Sequence, residues 1–237
     1  MRLRQAILVV VFVLIGGAFA AAQEADKPGW LNEARGKELV QQLVGLGIQP
    51  DVAGLAAISS EPELLWLSIH TEPNQKLAVL FIPCVGDLAY AYLMRHIGDE
   101  WKAADYDSFD CHYDDSVSLE VATLANKHAQ DVLVHHACVS HGTGFVQQDF
   151  QVLTIRDGKF KGVLDTEEIV NAANDDLYEY QRSSFVIVPS PEGRVIEETR
   201  STTLNGKLTV ERRYFRWLAS KGAYRASKFA RISVPLP

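Results

Sequence analysis

The run from residue 135 to residue 142 holds the densest group of side chains able to do chemistry, with three histidines and one cysteine. Imidazole and thiolate are ligands that zinc and copper favour in proteins. The apolar pattern of 131–139 predicts a strand that is buried on both faces. Successive side chains of a strand point to opposite faces, so His136 and Cys138 share one face and His135 lies on the other.

His136 and Cys138 supply two ligands of a metal site, which is not enough to hold an ion. The remaining ligands would come from histidines or cysteines elsewhere in the chain: His141, His112, His70 or Cys111. A zinc or copper site at His136 and Cys138, completed by His141 or His112, is therefore an alternative hypothesis. We favour a buried strand whose histidines bond to backbone carbonyls, and on that interpretation no cofactor is expected.

The Gly-rich turn at His141, Gly142, Thr143 and Gly144 suggests a second alternative. Consecutive backbone N–H groups in such a turn can hold an oxyanion, as hydrolases require. Hydrolases with this kind of loop also carry a Gly-x-Ser-x-Gly elbow, which the sequence lacks. A tight turn between two strands explains both glycines, and a hydrolase remains the weaker hypothesis.

The C-terminal part of the chain is basic and aromatic. From Arg194 to Arg231 there are ten Lys or Arg residues against three Glu. On a strand, Arg212 and Arg216 share one face, and Arg213 and Trp217 share the other. Such a surface predicts binding of an anionic glycan, a lipid headgroup or an acidic protein. The competing interpretation is charge pairing inside the fold.

The elements that must position these residues are mostly strands. Apolar spacing predicts a helix over 30–46 and a shorter helix over 51–58 with Asp51 as its cap. From residue 64 onward, short apolar runs alternate with turn residues. Asp157-Gly158 and Asn205-Gly206 are strong hairpin signals. Residues 167–174 are predicted as a short helix or loop insertion.

The predicted fold is mainly β, an antiparallel meander of about eight to ten strands with a short helical N-terminal segment. A curved sheet, an open barrel or propeller-like blades would all fit this pattern. The expected organisation is a signal peptide over 1–22, a linker with short helices over 23–62, and a β-rich domain over 63–237.

The N-terminus has the form of a secretory signal peptide. Arg2 and Arg4 precede an apolar stretch, and small residues follow it, with cleavage expected after Ala20 or Ala22. The apolar stretch is shorter than the roughly 20 residues of a spanning helix, so no transmembrane segment is expected after cleavage. The expected location is secreted or periplasmic.

Composition narrows the class of protein. The chain is 47% hydrophobic and 22% charged, which is typical of a globular protein, and its net charge of −7 argues against a nucleic-acid partner. The three cysteines allow at most one intrachain disulfide. Because no catalytic motif has the right spacing, we expect an exported, non-enzymatic binding or envelope scaffold module of otherwise unknown function.

Overall fold

The computed structural model describes residues 27–59, 64–70, 75–111, 116–126, 129–139, 146–174, 177–190 and 193–232. Its N-terminal part is a 3₁₀ turn at Gly29–Asn32 followed by α1 (Gly36–Gly45) and α2 (Pro50–Ile58). The single helix predicted over 30–46 is therefore divided. Gly36 has a φ of +54°, which a continuous right-handed helix does not contain.

The helix predicted over 51–58 is confirmed, but its start differs from the prediction. Pro50 occupies the first helical position, where its missing N–H costs nothing. The N-cap is Gln49, whose side chain makes no capping hydrogen bond. Asp51 therefore lies in the first turn instead of capping it, and its carboxylate is well placed for the helix dipole.

Four strands that follow each other in sequence form sheet A, in the order β1-β2-β3-β4 and antiparallel throughout. Their bounds are β1 (Leu65–His70), β2 (Lys76–Val85), β3 (Leu88–Ile97) and β4 (Glu100–Asp110).

A second antiparallel sheet, sheet B, contains the remaining strands in sequence order from β5 to β12, with β13 paired to β11. Their bounds are β5 (Ser116–Asn126), β6 (Ala129–Val139), β7 (Val146–Arg156), β8 (Lys159–Asn174), β9 (Leu177–Ser190), β10 (Gly193–Leu204), β11 (Lys207–Leu218), β12 (Ala223–Ala226) and β13 (Ala230–Arg231). The mainly β, antiparallel meander is thus confirmed, with thirteen strands among the described residues.

Both hairpin signals lie at tight turns. Asp157 and Gly158 have φ values of 53° and 73°, and Asn205 and Gly206 have 49° and 72°. Two consecutive residues with positive φ are the mark of a type I′ turn, which matches the twist of the strands on either side. The turn residues therefore set the register of β7 with β8 and of β10 with β11.

The prediction of a helix or loop over 167–174 is wrong. This segment is the second half of β8, which pairs with β7 on one side and β9 on the other. Gln148 pairs with Ile169 and Asp149 pairs with Glu167, so Glu168 is an extra residue at a register shift of the β7–β8 ladder. The ladder with β7 reaches Asn171 and the ladder with β9 runs from Ile169 to Asn174, and this pairing overrides the weak local preference of the segment.

Sheet B is curved, and its first and last strands are not joined by a ladder in the part of the chain described here, so it is not a closed barrel. Five strand spacings of about 4.8 Å would place β10 roughly 24 Å from β5 in a flat sheet. Instead, the Arg194 guanidinium donates to the Thr123 carbonyl over 2.9 Å. We call the side toward which the sheet curves the concave face.

The apolar core has three parts. Helices α1 and α2 cover one face of sheet A around Leu43, Leu80 and Met94. The other face of sheet A packs on β5, β6 and β7 through residues such as Leu93 and Val134, and we call this layer the seam. The third part lies on the concave face, where the buried side chains are Leu124, Leu133, Phe150, Val152, Val163, Ile196 and Phe215. Of the strand predicted to be buried on both faces over 131–139, residues 131–134 are buried, and His135, His136 and Ala137 are half-buried.

A disulfide joins Cys84, near the end of β2, to Cys111, just after β4, with a Cα–Cα distance of 5.7 Å. The pairing of the cysteines is thereby assigned, and Cys111 is not available as a metal ligand. Among the described residues, no helix is long and apolar enough to cross a membrane.

Candidate functional site

A pocket on the concave face of sheet B encloses about 370 Å³, including space open to solvent. Its lining comes from six consecutive strands, β5 to β10: Glu120, Leu124, Leu133, His135, Phe150, Glu168, Phe185, Ile187 and Ile196. The pocket exists because the sheet curves, since these strands would spread their side chains over a wide surface if the sheet were flat.

Strand alternation selects which residues enter the pocket. Leu133 and His135 are two apart on β6, and Phe185 and Ile187 are two apart on β9, so each pair shares a face. The ladder places His135 directly opposite Phe150 on β7. Val134, which lies between Leu133 and His135 on β6, points to the other face and packs in the seam.

The apolar side of the pocket is aromatic. The rings of Phe150 and Phe185 are stacked, with centroids 4.3 Å apart and planes 13° from parallel. The Phe215 ring continues the row, 6.5 Å from Phe185. Phe150 and Phe215 are buried, whereas Phe185 and Ile187 are partly exposed toward the pocket. The pocket therefore offers a flat apolar surface to a ligand.

The polar side of the pocket is a histidine between two carboxylates. The His135 Nδ1 atom lies 2.8 Å from Glu168 Oε2, and its Nε2 atom lies 3.9 Å from Glu120 Oε1. The carboxylates of Glu120 and Glu168 raise the pKa of His135 to about 9, although burial acts in the opposite direction. The nearby His135 in turn lowers the pKa of Glu120. At neutral pH the three groups are an imidazolium and two carboxylates, which we call the acidic triad.

The acidic triad suits binding better than proton transfer. A histidine with a pKa near 9 is a poor base at pH 7, because the proton already occupies the nitrogen that would accept one. Both of its N–H groups face carboxylates, so neither points at a site for a reacting atom. The carboxylates keep further lone pairs that a ligand can use.

A second charged cluster lies on the same face, next to Phe185. Glu198 is completely buried, and its Oε1 accepts from the Ser183 hydroxyl at 2.7 Å and from Arg200 Nη2 at 2.9 Å. Arg213 Nε donates to the other carboxylate oxygen. The Phe229 ring covers both guanidinium groups, with its centroid 4.5 Å from Arg200 and 4.4 Å from Arg213. We call this group the Glu198 cluster.

Of the four residues of the metal hypothesis, only His136 has a side chain within the described part of the chain. His136 lies on the seam side of β6, opposite His135, and its buried Nε2 has no hydrogen-bond partner among the described residues. Cys138 follows on the same side by alternation of the backbone, but its side chain lies outside the described residues, as do His112 and His141. Within the described part of the chain, no three His, Cys, Asp or Glu side chains are arranged to hold a metal ion.

The turn proposed for a hydrolase, at His141, Gly142, Thr143 and Gly144, also lies outside the described residues.

The basic strand β11 presents its residues to two different environments. On one face, Arg212 forms an ion pair with Glu197 at 3.1 Å, and Arg216 is exposed. On the concave face, Arg213 belongs to the Glu198 cluster. Trp217, on that face too, packs edge-on against the Tyr224 ring at 5.3 Å. The alternation predicted from the sequence is correct, and charge pairing inside the fold engages Arg212 and Arg213.

The residues that form the pocket were not recognisable from the sequence as a site. Glu168 lies in the segment predicted as a helix or loop, and Glu120 and Phe185 are isolated in ordinary strand patterns. The sequence places His135 on the face opposite His136 and gives it no partner of its own. The pairing register of β5 to β9 determines which residues lie opposite each other in the pocket. That register cannot be read from the sequence of any single strand.

We expect an imidazole NMR titration to place the midpoint of His135 near pH 9 in the folded protein. Glu168→Gln and Glu120→Gln should each lower it toward the ordinary histidine value, because each removes a negative partner. Since the pKa is raised on folding, the stabilisation is complete below about pH 6.5 and disappears as pH rises through about 9. The free energy of unfolding in urea should therefore be higher for wild type than for Glu168→Gln at about pH 6.5, and this difference should decrease as the pH rises to about 9. Glu167→Gln, which alters an exposed neighbour, is the control, and a wild-type midpoint near 6.5 would contradict the triad.

Glu198→Gln should lower the free energy of unfolding by about 3–5 kcal/mol, because it leaves two nearly buried guanidinium groups without a counter-charge. Glu197→Gln is a matched control on the same strand and the opposite face. Its ion pair with Arg212 is partly exposed, so the cost should stay below about 1 kcal/mol. Equal urea midpoints for the two variants would show that the Glu198 cluster contributes no special stability.

No protein-family model matches this chain, and no significant match is found among curated proteins or solved structures. The function is therefore inferred from the pocket on the concave face and from the acidic triad that lines it.

Proposed function

We propose that this protein is an exported, non-enzymatic binding module, and that the pocket on its concave face takes the apolar part of a small amphipathic ligand. The observation that carries the proposal is the stacked pair Phe150 and Phe185, which forms one wall of a pocket that also holds charged groups. Ligand sites of this kind combine apolar and aromatic walls with a few convergent polar groups.

The exposure of the pocket residues supports a ligand over a purely structural role. Phe185 and Ile187 are partly exposed although they lie on the face that carries the core. Their neighbours on that face, Ile196 and Phe215, are only 1% and 3% exposed. A ligand that covers Phe185 and Ile187 would remove apolar surface from water, which is favourable by about 25 cal/mol per Å².

The state of His135 supports a binding role over an enzymatic one. An imidazolium held between two carboxylates is a fixed charge at neutral pH, and catalysis by a histidine generally needs a group that exchanges its proton near the working pH. The acidic triad is suited to orient a polar group of a bound molecule.

Export rests on two independent features. The N-terminal sequence has the order of charged, apolar and small residues that signal peptides have. The Cys84–Cys111 disulfide is a bond that persists in oxidising compartments and is rare in the cytosol. We therefore propose that the protein works in the periplasm or outside the cell.

The partners of the basic residues favour the concave pocket over β11 as the ligand site. Binding of an anionic glycan, a lipid headgroup or an acidic protein by β11 would require its arginines to leave carboxylates of the same chain. Arg212 would leave Glu197, and Arg213 would leave the fully buried Glu198.

Octanol is a suitable neutral probe, since it has an apolar tail and one hydroxyl. We expect it to bind at the pocket in a chemical-shift titration, and we expect Phe185→Ala to weaken binding about tenfold, as loss of an aromatic wall removes roughly 1–2 kcal/mol of apolar contact. Val186→Ala is the matched control, because Val186 is the next residue and is 54% exposed on the opposite face of β9.

Shifts that map to the concave strands and weaken only in Phe185→Ala would support the proposal. Absence of saturable octanol binding to wild type, or equal binding by the two variants, would refute it.

A metal site at His136 and Cys138 is a second candidate, favoured by one observation. In the described part of the chain the buried His136 Nε2 has no hydrogen-bond partner, and a buried polar atom in that state is costly unless something binds it. The Cys84–Cys111 disulfide leaves Cys138 as the remaining cysteine, and a thiolate beside an imidazole suits zinc or copper.

Metal analysis and non-reducing peptide mapping on one sample from an oxidising compartment test this candidate. Mapping should show Cys84 linked to Cys111, since their Cα atoms are 5.7 Å apart, within the range for a disulfide. Stoichiometric zinc or copper that is lost in His136→Asn and kept in His96→Asn would support the metal site. Absence of bound metal after refolding with zinc or copper would remove it.

A further inference from the structure

The polar side of the pocket presents more hydrogen-bond acceptors than donors to a ligand. His135 Nδ1 is hydrogen-bonded to Glu168 at 2.8 Å, and its Nε2 faces the Glu120 carboxylate at 3.9 Å. The other lining residues are hydrocarbon side chains, with no donor of their own. A carboxylate accepts at two oxygens and about four lone pairs, so Glu120 and Glu168 retain unused acceptor capacity. This side of the pocket therefore favours a ligand group that donates.

The net charge of the pocket also favours a ligand group that donates hydrogen bonds, and in particular a positively charged one. One imidazolium and two carboxylates leave a net charge of −1 among the lining residues at neutral pH. The neighbouring Glu198 cluster has a net charge of +1, since Arg200 and Arg213 share one carboxylate, but neither arginine lines the pocket. The side chain of Glu120 is 63% exposed and that of Glu168 is 17% exposed, so an incoming group reaches Glu120 first.

The aromatic wall is compatible with a positive group beside it. The face of a phenyl ring carries negative potential and attracts cations within about 6 Å. This fold already uses that interaction next to the pocket, where the Arg213 guanidinium lies 4.6 Å from the Phe215 centroid. Phe150 and Phe185 extend the same row of rings to the acidic triad.

We propose that the pocket selects an organic ammonium ion, with the charged nitrogen at Glu120 and Glu168 and the attached apolar group against Phe150 and Phe185. This inference rests on the proposed function and specifies its ligand class. A neutral amphiphile would bind through the apolar wall alone, and an anionic one would meet two carboxylates.

The test compares three probes with the same tail and different heads, namely octylamine, octanol and octanoate, by chemical-shift titration at pH 7 and low salt. For wild type we expect octylamine to bind about tenfold tighter than octanol, as a charge-assisted hydrogen bond is about twice as strong as a neutral one. Octanoate should bind more weakly than octanol, because like charges repel.

Glu120→Gln is the informative variant, since its exposed carboxylate is removed with little risk to folding. It should reduce the preference for octylamine over octanol at least about fivefold while leaving octanol affinity unchanged. Glu167→Gln removes the same charge from an exposed position of β8 outside the pocket, and it should leave the preference intact.

The outcomes separate the two proposals. Equal binding of octylamine and octanol, or an unchanged preference in Glu120→Gln, would overturn the ammonium proposal and leave the apolar pocket standing. A preference that Glu167→Gln reduces as much as Glu120→Gln would also overturn it, since the effect would then come from overall charge. Failure of all three probes to bind would overturn both.

Discussion

The curvature of sheet B is the constraint on which the rest of the structure depends. Sheet A covers one face of β5, β6 and β7 through the seam, so the opposite face of these strands needs another apolar partner. The later strands of the same sheet provide it, because the curve brings Ile196 and Phe215 into the core that contains Leu133. A wide sheet with an apolar face is stable only if it curls or finds a second layer, and this chain does both.

Curvature also explains why charged residues can lie on a face that carries a core. Where the strands come close together, Leu133, Val152 and Ile196 fill the space with hydrocarbon. Elsewhere on this face the side chains are charged, and each charge has a partner of opposite sign. Glu198 pairs with two arginines, and His135 lies between two glutamates. Pairing of this kind adds little net stability, but an unpaired member would be expensive, so both clusters oppose any slip of strand register.

Local sequence patterns were enough to predict most strands and the two tight turns. Which residues meet in the pocket depends on pairing between distant strands. Asp157-Gly158 and Asn205-Gly206 are dipeptides that favour positive φ, and both form the predicted turns. Strand alternation correctly placed His135 and His136 on opposite faces, and likewise Arg212 and Arg213. The sequence could not show that His135 meets Glu168, because 33 positions separate them and a register shift interrupts the ladder between β7 and β8. The prediction for 167–174 failed for the same reason, since its strand form depends on partners on both sides.

The sign of the binding surface follows from how the charges are paired. Counted along the chain, the C-terminal third is basic and suggests an anionic partner. In the fold, Arg213 and Arg200 direct their guanidinium groups at the buried Glu198, and Arg212 binds Glu197, so two carboxylates offset two of these three positive charges within the sheet. The carboxylates of Glu120 and Glu168 share a single imidazolium, which leaves the pocket negative. The proposed preference of the pocket for a cation therefore rests on the charges that line it and not on the composition of the strands around it, because a local field depends on how charges are arranged.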